Sequence, residues 1–539
     1  MAGITPMMQQ YLDLKKKHQD CILFFRAALL VLCVGLVNWG LGGLGLLPME
    51  KAFADAPKTI TIQGEEYSTV LTMLDLSELS LTDADIEPLQ HMTNLTELYL
   101  HNNQISDLAP LSGLTNLNIV YLWGNQITEL APLSGLTNLT TLDLGVNQIS
   151  ELAPLASLTD LSVLFLAGNQ INELEPLSGL TNLTNLSLAE NQIGDLAPLA
   201  PLTSLTSLWL GTNQINDLES LSTLKNLTKL ELYDNQISNL APLAVLTKLR
   251  TLDLWTNQIS DLKPLAELNR LKELDLYDNQ ISDLAPLAEL TKLTTLSLRN
   301  NRVGDLKPLA GLIDLMELDL GVNQISDLTP LSDLTSLIAL ELGDNQINDL
   351  KPLSGLTNLT RLSLNSNRID DLTPLAKLTN VTALLLWENQ ISELAPLSSL
   401  TRLTELDLER NQIIDLASLA AMMNMTWLIL GNNQINDLAP LAAMTDLEWL
   451  VLNNNQISDL KPLARMTSLA GLELNDNQIS DLAPLAALTD LVDLALSGNQ
   501  ISDLSPLAAL PSSVGLYLSN NPITDWSPVA HIEYVQRHP

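Results

Sequence analysis

The sequence predicts a solenoid of about 21 short coils stacked along one axis. Three observations predict it. An asparagine recurs every 22 residues from Asn103 to Asn521, giving 20 in unbroken register. A Leu-x-Leu pair precedes each one, as in Leu142-Asp143-Leu144 before Asn147. An acidic residue four places after the Asn and a proline three further on recur at 19 and 18 of the 20 sites. Self-similarity at a fixed period of this length marks a repeat architecture, in which no unit buries its apolar face alone.

Each repeat position has a physical reason. Leu-x-Leu is a short strand with two side chains directed inward. The ladder asparagines, beginning Asn103, Asn125, Asn147, Asn169 and Asn191, turn the chain out of the strand. Their amides are expected to bond backbone groups of a neighbouring coil. The Ile and Leu residues that follow fill the cross-section. Asp-Leu-x-Pro-Leu reads as an N-cap and a proline-started turn of 3₁₀ or α-helix, which gives the 19-residue acidic ladder a structural role.

The ends differ from the middle. The expected division is a leader over 1–54, an N-terminal edge or cap over 55–73, the solenoid over 74–523 and a C-terminal cap over 524–539. Leu79 stands where a ladder Asn would be, 24 residues before Asn103. Thr59–Tyr67 alternates like an edge strand that could cover the open end. Trp526, Val529, Ile532 and Tyr534 are an apolar set suited to closing the other end.

The leader is a separate object. Residues 27–47 carry no charge and are about long enough to span a bilayer. Lys15, Lys16, Lys17 and Arg26 precede them, and Ala52-Phe53-Ala54 offers a cleavage pattern after Ala54. The charge bias directs the rest of the chain out of the cytoplasm, by a cleaved signal peptide or an uncleaved signal anchor. Contact with a membrane is expected only through 27–47. The two cysteines, Cys21 and Cys33, both lie in this leader, so no disulfide or cysteine-based metal site is expected beyond it.

Two resemblances follow from the quoted motifs. Blocks such as Asn103–Leu117 (NQISDLAPLSGLTNL) resemble the 22-residue leucine-rich repeats of bacterial internalins over about residues 70–530. That resemblance implies a right-handed parallel-β horseshoe with short 3₁₀ or α turns on the convex side. It also implies protein recognition on the concave side. Residues 4–26 resemble only the extreme N-terminus of MutS-type mismatch-repair proteins. The resemblance stops at Arg26, where Ala27-Ala28-Leu29 replaces that family's mismatch-reading stretch, and no GxxxxGK[ST] loop occurs. Repair chemistry is therefore not carried over. The internalins' helical N-cap and immunoglobulin-like module have no counterpart here, and no LPxTG-type sorting signal occurs.

Formal net charge is −36, which disfavours nucleic acid and favours a basic partner. The outward strand positions fall six, four, two and one residues before each ladder Asn. Twelve of the 15 aromatics after residue 54 fall at minus six, minus four or minus two. They are Tyr99, Tyr121, Trp123, Phe165, Trp209, Tyr233, Trp255, Tyr277, Trp387, Trp427, Trp449 and Tyr517. Exposed Trp and Tyr are preferred interface anchors, although aromatics also suit strand positions for packing alone. Tyr233, Trp255 and Tyr277 share one column, with Glu231, Asp253 and Asp275 beside them. Tyr99 with Tyr121 and Trp123, and Trp427 with Trp449, Ile429 and Val451, form two further groups. The outward columns carry 20 Asp/Glu against Lys229, Arg299, Arg361 and Arg410.

No HExxH, GxSxG or phosphate loop occurs, so no enzyme, cofactor or metal is expected. Carboxylate pairs such as Glu273 with Asp275, or Glu405 with Asp407, share strand faces, and nothing in the sequence suggests raised pKa values for them. The leading expectation is an exported, monomeric bacterial protein that binds a protein ligand through its aromatic, acidic concave face. A glycan-binding or passive surface protein is an alternative. A third is an intracellular scaffold like the phosphatase-regulatory members of the repeat class.

Overall fold

The computed structural model describes residues 57–537. The leader lies outside the described residues, and with it the apolar segment 27–47, Ala54 and the MutS-like stretch 4–26. Among the described residues, no helix is long and apolar enough to cross a membrane.

The described chain is a leucine-rich-repeat solenoid. Twenty-two strands of three residues, from Met73–Asp75 to Tyr534–Gln536, form one parallel sheet. Each strand pairs with the strands of the coils before and after it, so Leu142 lies beside Leu164 and Leu164 beside Leu186. Single 3₁₀ turns such as Ala153–Ser157 form the opposite wall. Between the walls the Leu and Ile positions are almost fully buried: Leu142, Leu144, Ile149, Leu155, Leu158 and Leu161 all have 0% exposure. Full burial of such a side chain stabilises by about 1.5–3 kcal/mol. The repeat period thus becomes a continuous core along the axis.

The ends break the 22-residue register. Residues Thr59–Tyr67, expected as one edge strand, are a hairpin of β1 (Thr59–Ile62) and β2 (Glu65–Ser68). Gln63 (φ 48°) and Gly64 (φ 89°) supply the two positive-φ residues that a tight hairpin turn requires. Ile60 and Ile62 join the core. A single turn of α-helix, α1 (Asp83–Ile86), follows, with Thr82 and Asp85 forming a capping box. At the other end the step between strands shortens, so that Leu516 pairs with Val535. Val529 and Ile532 are buried as expected, but Tyr534 is 56% exposed. Residues 534–536 are one more strand, and it is Val535 that packs against the core.

The asparagine ladder ties coil to coil. The Asn147 side chain is buried. Its Oδ1 accepts the Ile127 N–H of the preceding coil at 3.0 Å. Its Nδ2 donates to Leu122 O at 3.1 Å, and to Leu144 O and Gly145 O of its own coil. The same pattern recurs at Asn169, Asn191 and on to Asn521. At the first rung Asn103 reaches Leu81 N and Leu76 O, so the coil that has Leu79 in place of Asn is still held from above.

A second recurrence was not read from the sequence. The residue just before every ladder Asn has positive φ, from Asn102 (56°) to Asn520 (58°). Gly fills this position at 124, 168 and 498, but Val fills it at 146 and 322, and Thr at 212 and 256. The left-handed region costs an L-residue about 1–2 kcal/mol, and β-branched residues are least suited to it. The ladder and strand bonds on either side hold the backbone there.

The aspartates of the acidic ladder cap the turns, one residue earlier than expected, whereas Glu129, Glu151, Glu173 and Glu393 are too long for this bond. The N-cap of the Ala109–Leu111 turn is Leu108. Asp107 precedes it and accepts the Ala109 N–H at 2.8 Å, an Asx turn. Asn239, the exception to the acidic pattern, makes the same bond to Ala241 N. Asp327 and Asp371 are held below the usual carboxylate range by the hydroxyl and N–H of Thr329 and Thr373.

Neighbouring residues give substitutions of opposite sign. Asn147→Ala orphans a buried N–H and buried carbonyls, at about 1–3 kcal/mol per group. It is expected to lower the calorimetric melting temperature by several degrees. Val146 is 53% exposed at φ 51°, so Val146→Gly relieves strain without losing core contact. It is expected to raise stability by up to about 1 kcal/mol after the entropy cost of Gly.

Candidate ligand-binding face

The sheet presents its alternate residues outward, and successive coils place equivalent side chains about 4.8 Å apart. That spacing is close to ring-stacking distance. Tyr233 and Trp255 stack with centroids 4.6 Å apart and planes within 3°. Tyr277 continues the column at 6.5 Å, tilted by 44°. Tyr99 stacks on Tyr121 at 5.3 Å, and Trp427 on Trp449 at 5.3 Å. Phe165 and Trp209 meet edge to face across the buried Ser187 between their coils. Tyr517 packs on Tyr534. Trp387 is half-buried, with Asn365 and Glu409 beside it in its column.

Two expectations about exposure change. Tyr233 retains only 7% exposure and Trp123 only 8%. Tyr233 lies flat between Trp255 and Gly211, where any side chain at Gly211 would collide with its ring. Trp123 stacks on His101 at 5.1 Å, in the column beside the Tyr99–Tyr121 stack. His101 occupies the same outward column, two residues before Asn103, a position that its offset in the repeat makes legible. Trp427, at 42% exposure, is the most open of the twelve rings.

The carboxylates between the rings are also less open than expected. Glu231 is buried and bridges Lys229 at 2.9 Å, while Lys229 lies 5.5 Å over the Trp209 ring. Arg361 bridges Glu341 at 2.8 Å, and Arg410 lies within 4.0 Å of Glu388 and Glu409. Three of the four outward cations thus have carboxylate partners within the face. Asp253 accepts the Trp255 N–H and Asp275 the Tyr277 N–H. Burial, and then the charge of Asp275, pushes the Asp253 carboxyl up to about 8. Burial raises Asp275, Asp143 to about 7, and Asp407 to about 6. Raised carboxylates, not anticipated from the sequence, therefore recur along the face, with Asp253 and Asp275 side by side near its middle.

Comparison with known proteins accords with this architecture. The family described as leucine-rich repeats (two copies) matches thirteen stretches, some of them overlapping, between residues 69 and 509. MutS domain I matches residues 5–28. MutS proteins of Acetivibrio thermocellus and Ruminiclostridium cellulolyticum are 69% identical over 26 residues, 5% of this chain. The chain spans about 3% of the length of these curated relatives. An internalin structure from Listeria monocytogenes is 37% identical, over 54% of this chain and 86% of that one, with a TM-score of 0.53. A Leptospira interrogans leucine-rich-repeat protein is 27% identical over 75% of this chain and 98% of its own, also at 0.53. The ectodomain of a plant receptor kinase from Arabidopsis thaliana, solved with Casparian strip integrity factor 2, shares the fold. It is 24% identical over 87% of this chain and 64% of that one, with a TM-score of 0.59.

The raised carboxylates set a pH dependence. An unfolded Asp ionises near pH 4. Folded Asp253 holds its proton to about pH 8, so its contribution is full below about pH 4 and is lost as pH rises through about 8. The melting temperature is expected to fall between pH 5 and pH 8.5, and Asp253→Asn to flatten that fall. A slope unchanged in the variant would show that Asp253 ionises normally.

Proposed function

We infer that this chain, which belongs to the leucine-rich-repeat family, binds a protein ligand through the outward face of its sheet. The observation that supports this most is the Tyr233–Trp255–Tyr277 column with Asp253 and Asp275 between the rings. Aromatic anchors on a rigid scaffold lose little conformational entropy when they are covered. Carboxylates held partly protonated beside them are poised to ionise when a cation arrives. Lys or Arg of a partner would then lie against Trp255 and Tyr277 and meet Asp253 and Asp275. Tyr233 serves as the floor of the stack rather than as a contact.

The stacking favours protein over glycan. Stacking leaves Trp255 at most one open face, and the carboxylates beside it give a cationic side chain a partner that a neutral sugar would not use as well. Trp427, Trp449, Ile429 and the buried Val451 form a separate apolar patch suited to a non-polar contact. The uncharged run 27–47, with positive charge before it, supports export and presentation outside the cell. Solved relatives include an internalin and a receptor ectodomain bound to its factor, which fits a recognition role.

Trp255→Ala with Tyr277→Ala is expected to weaken binding to a basic protein ligand captured from cell-surface extracts by roughly 30-fold, the scale of an interface hot spot. The captured partner should also release at high salt. Binding within twofold of the parent chain would remove this column from the interface. Recovery of the chain in the cytosolic fraction would instead favour an intracellular scaffold.

A further inference from the structure

A different surface departs from the repeat on the flank leading into the strands. Seven residues before the ladder Asn, the usual residue is Thr or Ser, whose hydroxyl donates to a carbonyl one coil back. Thr206 bonds Thr184 O, Thr228 bonds Thr206 O and Thr404 bonds Thr382 O, each at 3.1 Å. Met316 and Ile338 are two adjacent departures from this series, which also lapses at Arg250, Lys272, Glu448 and Val492 among others. The Met316 and Ile338 side chains are 42% and 37% exposed, and Ile313 nearby is 56% exposed.

The coils just before them carry a second departure. Lys248, Arg250, Arg270, Lys272 and Lys292 stand exposed in three successive coils, at seven and nine residues before the Asn. The ion pairs formed among the described residues include none of the five. The sequence has 62 Asp and Glu against 26 Lys and Arg, so a strip of five exposed cations outside those pairs is unusual. A shallow groove of about 760 Å³ joins the two features, running from Lys272 and Lys292 past Thr294, Met316 and Ile338 to Thr360. Its length is four coil steps, about 19 Å at 4.8 Å each, which fits about six residues of extended chain.

We propose that this groove is a second docking surface. It takes an extended, acidic–apolar segment of a partner protein. Carboxylates of the segment lie over Arg270, Lys272 and Lys292, and its apolar side chains cover Met316 and Ile338. The charge preference is opposite to that of the sheet face, so the proposal stands apart from the function inferred above. A polyanion such as nucleic acid or a sulfated glycan fits less well. It would use only the cationic end, and Asp314 in the groove would repel its continuation. Burying the apolar side chains adds affinity that ion pairing alone would not give.

The test uses the full chain and two fluorescein-labelled heptapeptides, with three Glu at one end and Leu at the other, in both orders. Met316→Thr with Ile338→Thr restores the hydroxyl series, so this variant should melt with the parent chain. Lys272→Glu with Lys292→Glu removes the charge. Each pair is expected to weaken peptide anisotropy binding by about tenfold or more. The proposal is overturned if neither peptide binds at about 1 mM, or if the threonine variant stays within twofold of the parent. It is likewise overturned if a heparin oligosaccharide binds more tightly than either peptide and ignores the threonine change.

Discussion

The stacking of this molecule depends on one buried or half-buried amide in each of twenty successive coils. A chain that turns back every 22 residues leaves backbone N–H and C=O groups inside the turn, where water cannot reach them. The Asn side chain carries both a donor and an acceptor, and it answers both needs at once. At Asn279 the acceptor takes the Ile259 N–H at 2.9 Å, and the donor reaches Leu254 O at 3.0 Å, both one coil back. The bonds run to the preceding coil, so a coil is completed only by its successor. Neither the apolar face nor the polar interior of a single repeat is satisfied alone.

That dependence explains why strain is tolerated beside each rung. A left-handed residue before every Asn swings the amide inward, and 17 of the 20 residues there are not Gly. Neighbouring coils fix this backbone from both sides, as when Val322 N donates to Gly343 O at 2.8 Å and Asn323 accepts from Val303. The side chain at such a position is left pointing away from the core, and its identity matters little to packing. The same freedom extends along the outward side of the strand. Core positions are locked to Leu and Ile, while outward positions range from Gly to Trp. A repeat protein thus separates the residues that make it fold from those that give it a surface.

This separation decides what could be read from the sequence. The ladder, the core positions and the strand columns follow from periodicity, because each depends on residue type at a fixed offset. What one outward side chain does to the next does not. Whether Tyr233 is open or sandwiched depends on Gly211 one coil away and on the lean of its ring. His101 pairs with Trp123 for the same reason. The carboxylate shifts arise from burial beneath neighbouring rings, a property of the assembled face. The ends were misread where the period itself failed. The last strand comes early, at 534–536, and the hairpin turn at Gln63-Gly64 has no repeat to announce it.

The acidic column and the rings share the same stretch of sheet. Like charges directly opposite on neighbouring strands destabilise a sheet, and Glu231, Asp253 and Asp275 occupy consecutive rungs of one column. The core would accept Ser or Thr at these outward positions, as it does at Ser187 and Ser297. Asp253 and Asp275 each accept the N–H two residues on, a bond that does not require its neighbours in the column to be acidic as well, and Lys229 offsets only Glu231. A cation from outside would relieve the other two, let Asp253 and Asp275 ionise, and find Trp255 and Tyr277 beside it. Protonation of Asp253 and Asp275 relieves this cost in the free chain, and a cationic partner would relieve it with both groups ionised, which makes the middle of the sheet a more specific candidate than its other rings.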